Sequence, residues 1–348
     1  MKILILKPSS LGDVIHALPV LRLLKSHLPK SQIYWWLDAS LVPLLEKDPD
    51  LAAIIPFRRQ HWAAPPAWPE IFASVRTMRR MQLDWAIDLQ GLARSAFFTW
   101  LCGAELKIGL DNPREGRREG ARTFYDRTPT TTRPGTHAVE RYLAVLPLLG
   151  VPLRWDFQWL PARLEVAQQI QQKWRPSSAA TWIALLPGGR WQNKLWPAES
   201  FAQLVRQMQS RSDLNFLILG TGSERGLGEM IAAANPRRCL NLAGQTSLWE
   251  MIEWLRLCRL VVANDTGPMH IAAALKKPLV ALFGPTNPSN TGPYGQLENV
   301  IQASQLPCVP CMKPTCSYSQ PLACLHAITP TIVLQRVQAL LQPGHLGS

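Results

Sequence analysis

The sequence predicts an α/β protein with two doubly wound, Rossmann-like domains in tandem. Its 348 residues correspond to about two domains of 150–200 residues. Short apolar runs alternate along the chain with segments whose leucines recur at helical spacing, which is typical of parallel sheets covered by helices. With 47% hydrophobic and 18% charged residues, the chain can bury a sizeable core, which argues against a disordered or low-complexity protein.

The first half of the chain contains four predicted strands. Residues 2–7 form an apolar run without alternation, as expected of a strand covered on both faces. A polar turn with Gly12 and Asp13 follows, and then a helix with apolar positions through Leu28. Residues 110–136 carry six arginines, and their apolar residues do not recur at the spacing of a helix or a strand, which indicates a basic loop. The other predicted strands are 33–37, 51–57 and 85–89, and the other predicted helices are 39–46, a segment ending at Trp100 and 137–149.

The second half restarts after a predicted linker at 150–165, so we expect domains at 1–160 and 161–348. Ligands of doubly wound sheets bind at the carboxyl ends of the strands, and we expect a crevice there between the two domains. The predicted strands are 182–186, 215–219, a short one near 241, 260–263 and 279–283, and the predicted helices are 199–209, 225–234, 247–257 and a segment through 275.

Three glycine turns in the second half have the composition of phosphate-binding loops. Each can point backbone N–H groups and a helix N-terminus at a phosphate, although one alone is also an ordinary turn between a strand and a helix. Three in one domain favour a nucleotide-diphosphate site. The dinucleotide fingerprint fails because its third glycine, Gly226, falls one position late, and the chain has no P-loop sequence. The turns are Pro187-Gly188-Gly189, Gly220-Thr221-Gly222-Ser223 and Asp265-Thr266-Gly267.

Two charged residues near predicted turns are candidates for chemistry. Lys194 lies five residues after Gly189, from where its ammonium could cover a pyrophosphate, and the alternative is an ordinary surface lysine. Asp13 stands between Gly12 and the first predicted helix. Its carboxylate either caps that helix or acts as a general base that takes a proton from an acceptor hydroxyl.

The charge of the chain indicates an anionic partner. Lysine and arginine number 37 against 24 acidic residues, which gives a net charge of +13. A nucleic acid, a phosphorylated substrate and an anionic membrane surface all fit this charge. A nucleic-acid-binding protein would use the basic segment 114–133 and a cysteine knuckle, but it leaves the phosphate turns unexplained, so we expect no nucleic acid. No apolar run approaches the ~18 residues that cross a bilayer, and no signal sequence is visible, so we expect a cytoplasmic protein.

The spacing Cys308-x2-Cys311-x4-Cys316-x7-Cys324 is the strongest metal-like pattern in the chain. Four thiols so close together could bind Zn²⁺ tetrahedrally or hold an iron–sulfur cluster as a structural group. The alternative is a loop of reduced cysteines, because the spacings of four and seven depart from a paired C-x2-C site.

Four further motifs occur in order along the chain, namely KPSSLGDVIHALP at 7–19, IDLQGLARS at 87–95, HAVER at 137–141 and NDTGPMH at 264–270. Together they resemble the bacterial lipopolysaccharide heptosyltransferases of glycosyltransferase family 9. The segment 118–127 and the motif at 137–141 look most like heptosyltransferase I, whereas the cysteine segment 308–324 is similar to that of heptosyltransferase II.

The resemblance implies a GT-B fold, in which an N-terminal acceptor domain faces a C-terminal donor domain across a cleft. It implies an inverting, metal-independent transfer of heptose from ADP-heptose without a cofactor, and Asp13 matches the general base proposed for the family. The donor residues that it implies are Lys194, Thr266 and Gly267 on the phosphates, Asp265 and His270 around the sugar and phosphates, and Glu224 near the ribose. We add Gly188 and Gly189 to the donor site because they form the first glycine turn.

The implied acceptor is the Kdo-bearing inner core on lipid A, an anionic glycolipid at the cytoplasmic leaflet of the inner membrane. Such a partner would explain the net charge of +13 and would bring the protein into peripheral contact with the membrane. We assign Arg58, Arg59 and Arg127 to acceptor binding, with a solvated basic surface as the alternative. A family 9 enzyme with another sugar donor or acceptor is the other reading that the motifs leave open.

Overall fold

The structure is a computed structural model that describes residues 1–58, 68–110, 120–129, 135–155 and 157–342. The chain divides into two compact units, Met1–Pro161 and Ala162–Ser348. Each unit is built on one parallel sheet whose central strands are buried on both faces, as in doubly wound α/β proteins.

In the N-terminal unit the five strands pair in the order β3-β2-β1-β4-β5. The strand β1 lies at the centre, and its residues Ile3 to Leu6 are fully buried. The order of the strands reverses at β1, so the segments that follow β1 and β4 lie at the topological switch point, where doubly wound sheets bind ligands. The strands are β1 (Lys2–Leu6), β2 (Gln32–Asp38), β3 (Ala53–Phe57), β4 (Trp85–Asp88) and β5 (Leu106–Gly109), and the helices are α1 (Leu11–His27), α2 (Val42–Leu45), α3 (Trp68–Arg80), α4 (Ala93–Leu101) and α5 (Ala138–Leu143).

In the C-terminal unit the six strands pair in the order β11-β10-β9-β6-β7-β8. The switch point lies between β6 and β9, which pair in parallel with Ile183 opposite Leu260. The strands are β6 (Thr181–Leu186), β7 (Leu214–Ile218), β8 (Cys239–Asn241), β9 (Leu260–Asn264), β10 (Leu279–Phe283) and β11 (Val300–Gln302). The helices are α6 (Leu164–Trp174), α7 (Ala198–Gln207), α8 (Arg225–Ala232), α9 (Leu248–Leu257), α10 (Gly267–Ala274), α11 (Pro288–Thr291), α12 (Ala323–His326) and α13 (Pro330–Leu341).

Two helices predicted from the sequence are shorter than expected. The predicted helix 137–149 ends at Leu143 and is followed by a separate 3₁₀ turn, Leu146–Leu149. Pro147 has no N–H to donate to the preceding turn, which explains the interruption. The predicted helix 39–46 is likewise divided into the 3₁₀ turn Ala39–Leu41 and α2, which has a proline in its first turn.

Several elements were not predicted, namely β5, β11, α3, α6, α11, α12 and α13. Much of the basic segment 110–136 lies outside the described residues, and its described part includes a 3₁₀ turn at Ala121–Phe124. Among the described helices, none combines the length and the apolarity that crossing a membrane requires.

Candidate functional site

The glycine turns of the C-terminal unit surround an ion pair between Lys194 and Asp265. Lys194 Nζ lies 2.7 Å from Asp265 Oδ2, and the same oxygen accepts a hydrogen bond from Thr286 Oγ1 at 2.6 Å. The ammonium also lies 4.8 Å from the centre of the Trp191 ring. An ammonium has three N–H donors, so the pairing with Asp265 leaves donors for an anionic ligand. Lys194 is therefore a fixed cation rather than a freely rotating surface lysine.

Asn264 connects the turn after β6 to the end of β9. Its Nδ2 donates to Pro187 O at 2.7 Å, and its Oδ1 accepts from Trp196 N at 3.1 Å. The turn is also packed against Thr266, because a β carbon at Gly189 would lie only 3.3 Å from Thr266 Cγ2. These contacts thus place two of the predicted phosphate turns next to each other at the switch point of the sheet.

Glu224 joins the third glycine turn to the first. Its Oε1 accepts from Gly189 N at 3.1 Å and its Oε2 accepts from Thr221 N at 2.6 Å. The carboxylate lies so close to Gly188 that a β carbon there would overlap it. A larger residue at position 188 would therefore displace the Glu224 carboxylate from these hydrogen bonds.

The N-terminus of α10 adds further donors to this group. Thr266 precedes Gly267, the first residue of the helix, and among the described residues Thr266 Oγ1 is a buried atom without a hydrogen-bond partner. A buried hydroxyl of this kind and the backbone N–H groups of the first turn can bind a phosphate oxygen. His270 is buried on the same helix. We call Gly188, Gly189, Lys194, Glu224, Asp265, Thr266 and Gly267 the glycine-turn cluster.

In the N-terminal unit, Asp13 occupies the third position of α1, directly after the switch point at β1. Its Oδ2 accepts from Ser10 N at 3.0 Å and from Ser10 Oγ at 2.7 Å. Its Oδ1 accepts from Tyr142 Oη at 3.1 Å and lies 3.9 Å from Lys7 Nζ. The carboxylate therefore does cap the helix, as one of the two readings of the sequence predicts, while 35% of the side chain remains exposed.

The surroundings of Asp13 favour its charged form. Burial raises the pKa of Asp13, but the Lys7 ammonium and the hydrogen bonds from Ser10 and Tyr142 outweigh that effect and leave the pKa below its ordinary value. Lys7 is itself 3% exposed, and burial lowers its pKa despite the attraction of Asp13 and Asp88. At neutral pH Asp13 is consequently an ionised carboxylate that can accept a proton.

A second carboxyl group, Asp88, ends β4 next to this site and is fully buried. It accepts hydrogen bonds from Tyr125 Oη at 2.7 Å and from the backbone of Gln90 at 2.8 Å and Gly91 at 3.1 Å. Burial raises its pKa in spite of these hydrogen bonds. Asp88 therefore shapes the turn after β4, whereas 35% of the Asp13 side chain is exposed.

The arginines assigned to acceptor binding are more exposed and make fewer contacts than the residues of the glycine-turn cluster. Arg58 is 64% exposed and lies 4.0 Å from Glu70, at the edge of a cavity of about 510 Å³ between β3 and α3. Arg127 is exposed and donates to Leu148 O at 3.1 Å. Arg59 lies outside the described residues. No contact among the described residues joins Arg58 to Arg127.

The four cysteines of the metal-like pattern line one cavity of about 110 Å³ in the C-terminal unit. All of them are free thiols. Over the ranges that the structure describes, no three Cys, His, Asp or Glu side chains come close enough together to hold a metal ion. The cysteines are thus gathered around a cavity without forming a coordination sphere.

Three residues of these sites were missed at the sequence level, and each had a recognisable position. Lys7 begins the first motif and ends the first predicted strand. Tyr142 directly follows the HAVER motif on the same helix. Thr286 lies shortly after β10, the position relative to a strand that the phosphate turns also occupy.

Comparisons with known proteins agree with the motifs. Residues 71–321 match Glycosyltransferase family 9 (heptosyltransferase). Lipopolysaccharide heptosyltransferase 1 of Pseudomonas aeruginosa is 32% identical over 98% of this chain and 98% of its own length. Lipopolysaccharide heptosyltransferase 2 of Salmonella typhimurium is 30% identical over 87% of this chain and 88% of its own.

Two solved structures from Escherichia coli are similar over nearly the whole chain. ADP-heptose lps heptosyltransferase II has a TM-score of 0.77 at 27% identity and is covered to 98%, as is this chain. Heptosyltransferase WaaC with ADP-2-deoxy-2-fluoro heptose has a TM-score of 0.76 at 26% identity, with 97% of this chain and 99% of that chain covered. The predicted fold class, two Rossmann-like units of the GT-B type, is confirmed. The chain belongs to glycosyltransferase family 9 (heptosyltransferase).

Proposed function

We propose that this protein transfers heptose from ADP-heptose to the Kdo/heptose inner core of lipopolysaccharide on lipid A. The observation that carries the proposal is the glycine-turn cluster, in which the Lys194 ammonium is fixed beside the N-terminus of α10. Its residues are those that the family motifs assign to the donor. The similar WaaC structure contains an ADP-heptose analogue, which supports the same class of donor for this chain.

The cluster has the donors that a leaving nucleoside diphosphate needs. When the bond between the sugar C1 and the phosphate oxygen breaks, negative charge develops on ADP. The Lys194 ammonium, the Thr266 hydroxyl and the backbone N–H of Gly267 would stabilise that charge by fixed hydrogen bonds. Glu224 would accept hydrogen bonds from the ribose, and His270 would contribute to the sugar and phosphate pocket.

Asp13 supplies the base in this proposal. The acceptor oxygen forms its bond to C1 on the face opposite the departing phosphate, so the anomeric configuration inverts, and the hydroxyl proton passes to Asp13. The hydrogen bonds from Ser10 and Tyr142 hold the carboxylate in one orientation. The domain 1–160 would then bind the acceptor and the domain 161–348 the donor.

We also propose that the transfer needs no metal ion. The chain has one Asp-x-Asp sequence, at Asp48 and Asp50, and both carboxylates are paired with Arg22 at 2.6–2.7 Å. That sequence therefore serves the packing of the N-terminal unit. Lys194 takes the charge-neutralising role that a divalent cation has in metal-dependent transferases.

The acceptor is the anionic inner core, in keeping with the net charge of +13. Arg58, Arg59 and Arg127 would contact its phosphate and carboxylate groups. Such a substrate would bring the protein into peripheral contact with the cytoplasmic face of the inner membrane, where basic side chains are attracted to anionic lipid.

The test is an assay of ADP release, with mass analysis of the glycolipid, on lipid A bearing either Kdo alone or Kdo and one heptose. A mass increase of one heptose on either acceptor supports the proposal, and the acceptor used distinguishes a type 1 from a type 2 enzyme. Asp13→Asn is the matched control for spontaneous hydrolysis of the donor. Folded protein that binds ADP but modifies neither acceptor would refute the assignment of heptose and inner core, and other nucleotide sugars would then be tried.

A further inference from the structure

We propose that the exposed side of α4 and the adjoining 3₁₀ turn Ala121–Phe124 form a surface that docks on an anionic lipid bilayer. The inference rests on the proposed function and deepens it, because an acceptor anchored in lipid requires the enzyme to work at a membrane. We call this surface the aromatic face, and its residues are Arg79, Arg94, Phe97, Trp100, Arg122 and Phe124.

The outer side of α4 carries aromatic rings where a surface helix usually carries polar side chains. Phe97 is 43% exposed and Trp100 is 51% exposed, while Phe98 on the inner side is buried in the core. Arg94, Phe97 and Trp100 follow one another at intervals of three residues, so they lie along the same side of the helix. Exposed apolar side chains grouped in this way mark an interaction surface.

The exposed rings form one cluster that spans two elements. Phe97 stacks on Trp100 with 6.0 Å between the ring centres. Phe124, from the 3₁₀ turn, meets Phe97 edge-on at 5.9 Å and lies 6.4 Å from Trp100. Aromatic rings at these distances attract one another, so the helix and the turn present a single apolar patch.

The buried Asp88 carboxylate connects the two elements that carry the patch. It accepts hydrogen bonds from Ser95 of α4 and from Tyr125 Oη, at 2.7 Å, directly after the turn. The Tyr125 ring is packed against β5, because a β carbon at Gly109 would overlap it. Asp88 ends β4 at the switch point from which Asp13 also follows, so a bilayer docked here would meet the unit that contains the proposed base.

Arginines surround the rings and complement anionic lipid. Arg94 lies at the start of α4 and Arg122 in the turn, and both are exposed. Arg79, also exposed, donates from Nε to the last carbonyl of α4 at 2.9 Å. Neither α4 nor the turn contains an acidic residue, and Asp126, shortly after the turn, is paired with Lys107 at 3.0 Å. The aromatic face therefore attracts anionic headgroups.

The size and composition of the aromatic face fit a lipid surface better than a protein partner. Stable protein complexes use about 20–30 residues on each side. The aromatic face comprises one side of a nine-residue helix, the four-residue turn beside it and Arg79. Aromatic rings flanked by cations are typical of segments that insert at the boundary between headgroups and acyl chains. The surface is therefore assigned to an anionic bilayer.

The experiment is co-sedimentation of the full-length protein with lipid vesicles, in the absence of lipid A and ADP-heptose. We expect binding to phosphatidylcholine vesicles that contain about one quarter phosphatidylglycerol, little binding to pure phosphatidylcholine, and weaker binding as salt is added. Protein that does not sediment with the anionic vesicles would overturn the proposal. Because neither substrate is present, this result and the transfer assay can fail separately.

A matched pair of tryptophan variants tests the rings. Trp100→Ser should lower the partition coefficient onto anionic vesicles by about fivefold or more, because a polar side chain replaces an indole that lipid would bury. Trp155→Ser is the control, since Trp155 is 54% exposed in the same unit and lies outside the aromatic face. Unchanged circular dichroism in both variants excludes unfolding as the cause. Equal partition coefficients in the two variants would overturn the assignment.

A second pair of variants tests the arginines. Arg94→Gln should lower the partition coefficient by about fivefold, the effect of one cation at an anionic membrane surface. Arg206→Gln removes an exposed arginine from the last turn of α7 and should have little effect. Equal losses in both variants would show that overall charge, and not the aromatic face, binds lipid.

Light scattering without lipid tests the alternative occupant, a second copy of the chain. We expect the wild type and Trp100→Ser to have the same mass. A dimer that Trp100→Ser dissociates would assign the aromatic face to contacts between copies and would overturn its assignment to lipid.

Discussion

Lys194 and Asp265 form an ion pair with 2.7 Å between Nζ and Oδ2, although they follow different strands of the C-terminal sheet. The side chains are 18% and 5% exposed, so water screens the pair only in part. Thr286 donates to the same carboxylate oxygen. The ammonium is therefore already oriented before a ligand binds, and little side-chain entropy is lost when a phosphate joins it.

Replacing Lys194 should weaken donor binding. Lys194→Ala removes a charge-assisted contact of about 1.5–3 kcal/mol, so the Kd for ADP or ADP-heptose should rise by more than about tenfold. Titration calorimetry measures this directly. Lys173→Ala, which removes a 55% exposed lysine from the same unit, is the control and should bind the donor normally. An unchanged Kd for Lys194→Ala would exclude this lysine from the donor site.

Gly188→Ala should damage the same site by a different route. The added methyl group would overlap the Glu224 carboxylate, which must then move and give up its hydrogen bond from Gly189 N. We expect ADP affinity to fall by about tenfold, comparable to the loss of one such bond. Gly226→Ala is the matched control, because a β carbon there meets no atom within 4 Å. Equal ADP affinity in the two variants would contradict the role given to Glu224.

The sequence predicts those elements best whose apolar runs are continuous. The strand β10 was predicted to the residue, since all five of its side chains are buried. One missed element has a weak pattern for a physical reason, since β5 is four residues long with a glycine at its end. Tertiary packing, rather than local preference, specifies it. The helix α6 was missed although its apolar residues recur at helical spacing, and Ile170 is its one buried side chain.

For the site, the sequence predicted which residues belong to it, but it did not predict which of them contact one another. The glycine turns and Lys194 were identified, but their contacts depend on β6 pairing with β9, which lie far apart along the chain. The role of Asn264 follows from that pairing, and the role of Thr286 follows from the pairing of β9 with β10. The proximity of Tyr142 to Asp13 likewise depends on the packing of α5 against α1. No local sequence pattern predicts that packing.

Asp48→Ala should destabilise the N-terminal unit. Arg22 is 8% exposed and makes two hydrogen bonds of 2.6–2.7 Å to Asp48, so the variant leaves a buried guanidinium with fewer partners. We expect the free energy of unfolding to fall by about 3 kcal/mol, seen as a lower urea midpoint. Asp213→Ala, which disrupts an exposed ion pair with Arg211, should leave the midpoint nearly unchanged. Similar midpoints for both variants would contradict a structural role for Asp48.

Asp13→Asn should abolish turnover and spare donor binding. The amide has nearly the shape of the carboxylate but cannot accept the acceptor proton, so kcat should fall by at least about 10²-fold. The Kd for ADP should stay at its normal value, because the glycine-turn cluster belongs to the other unit. A melting temperature close to that of the wild type would exclude unfolding as the cause. Turnover near the normal rate would reject Asp13 as the base.

Tyr142→Phe should move the acidic limb of the pH profile of kcat/KM to higher pH. Burial and the Asp13 carboxylate raise the pKa of Tyr142, so its phenol stays protonated at neutral pH and donates to Asp13. That hydrogen bond stabilises the ionised carboxylate and helps to hold the pKa of Asp13 below its ordinary value. Removing it raises the pKa of Asp13, and the base is then lost by protonation at a higher pH as the solution is acidified.

The control is Tyr34→Phe, since Tyr34 hydrogen-bonds only to Gln32 among the contacts that the structure shows for its hydroxyl. Its pH profile should coincide with that of the wild type. The direction of the shift is what distinguishes the explanations. A purely structural effect of Tyr142→Phe would lower kcat at every pH by the same factor, whereas loss of a hydrogen bond to the base lowers activity mainly on the acidic side. An acidic limb that moves to lower pH would contradict the assignment, because the base would then have gained stabilisation of its charged form.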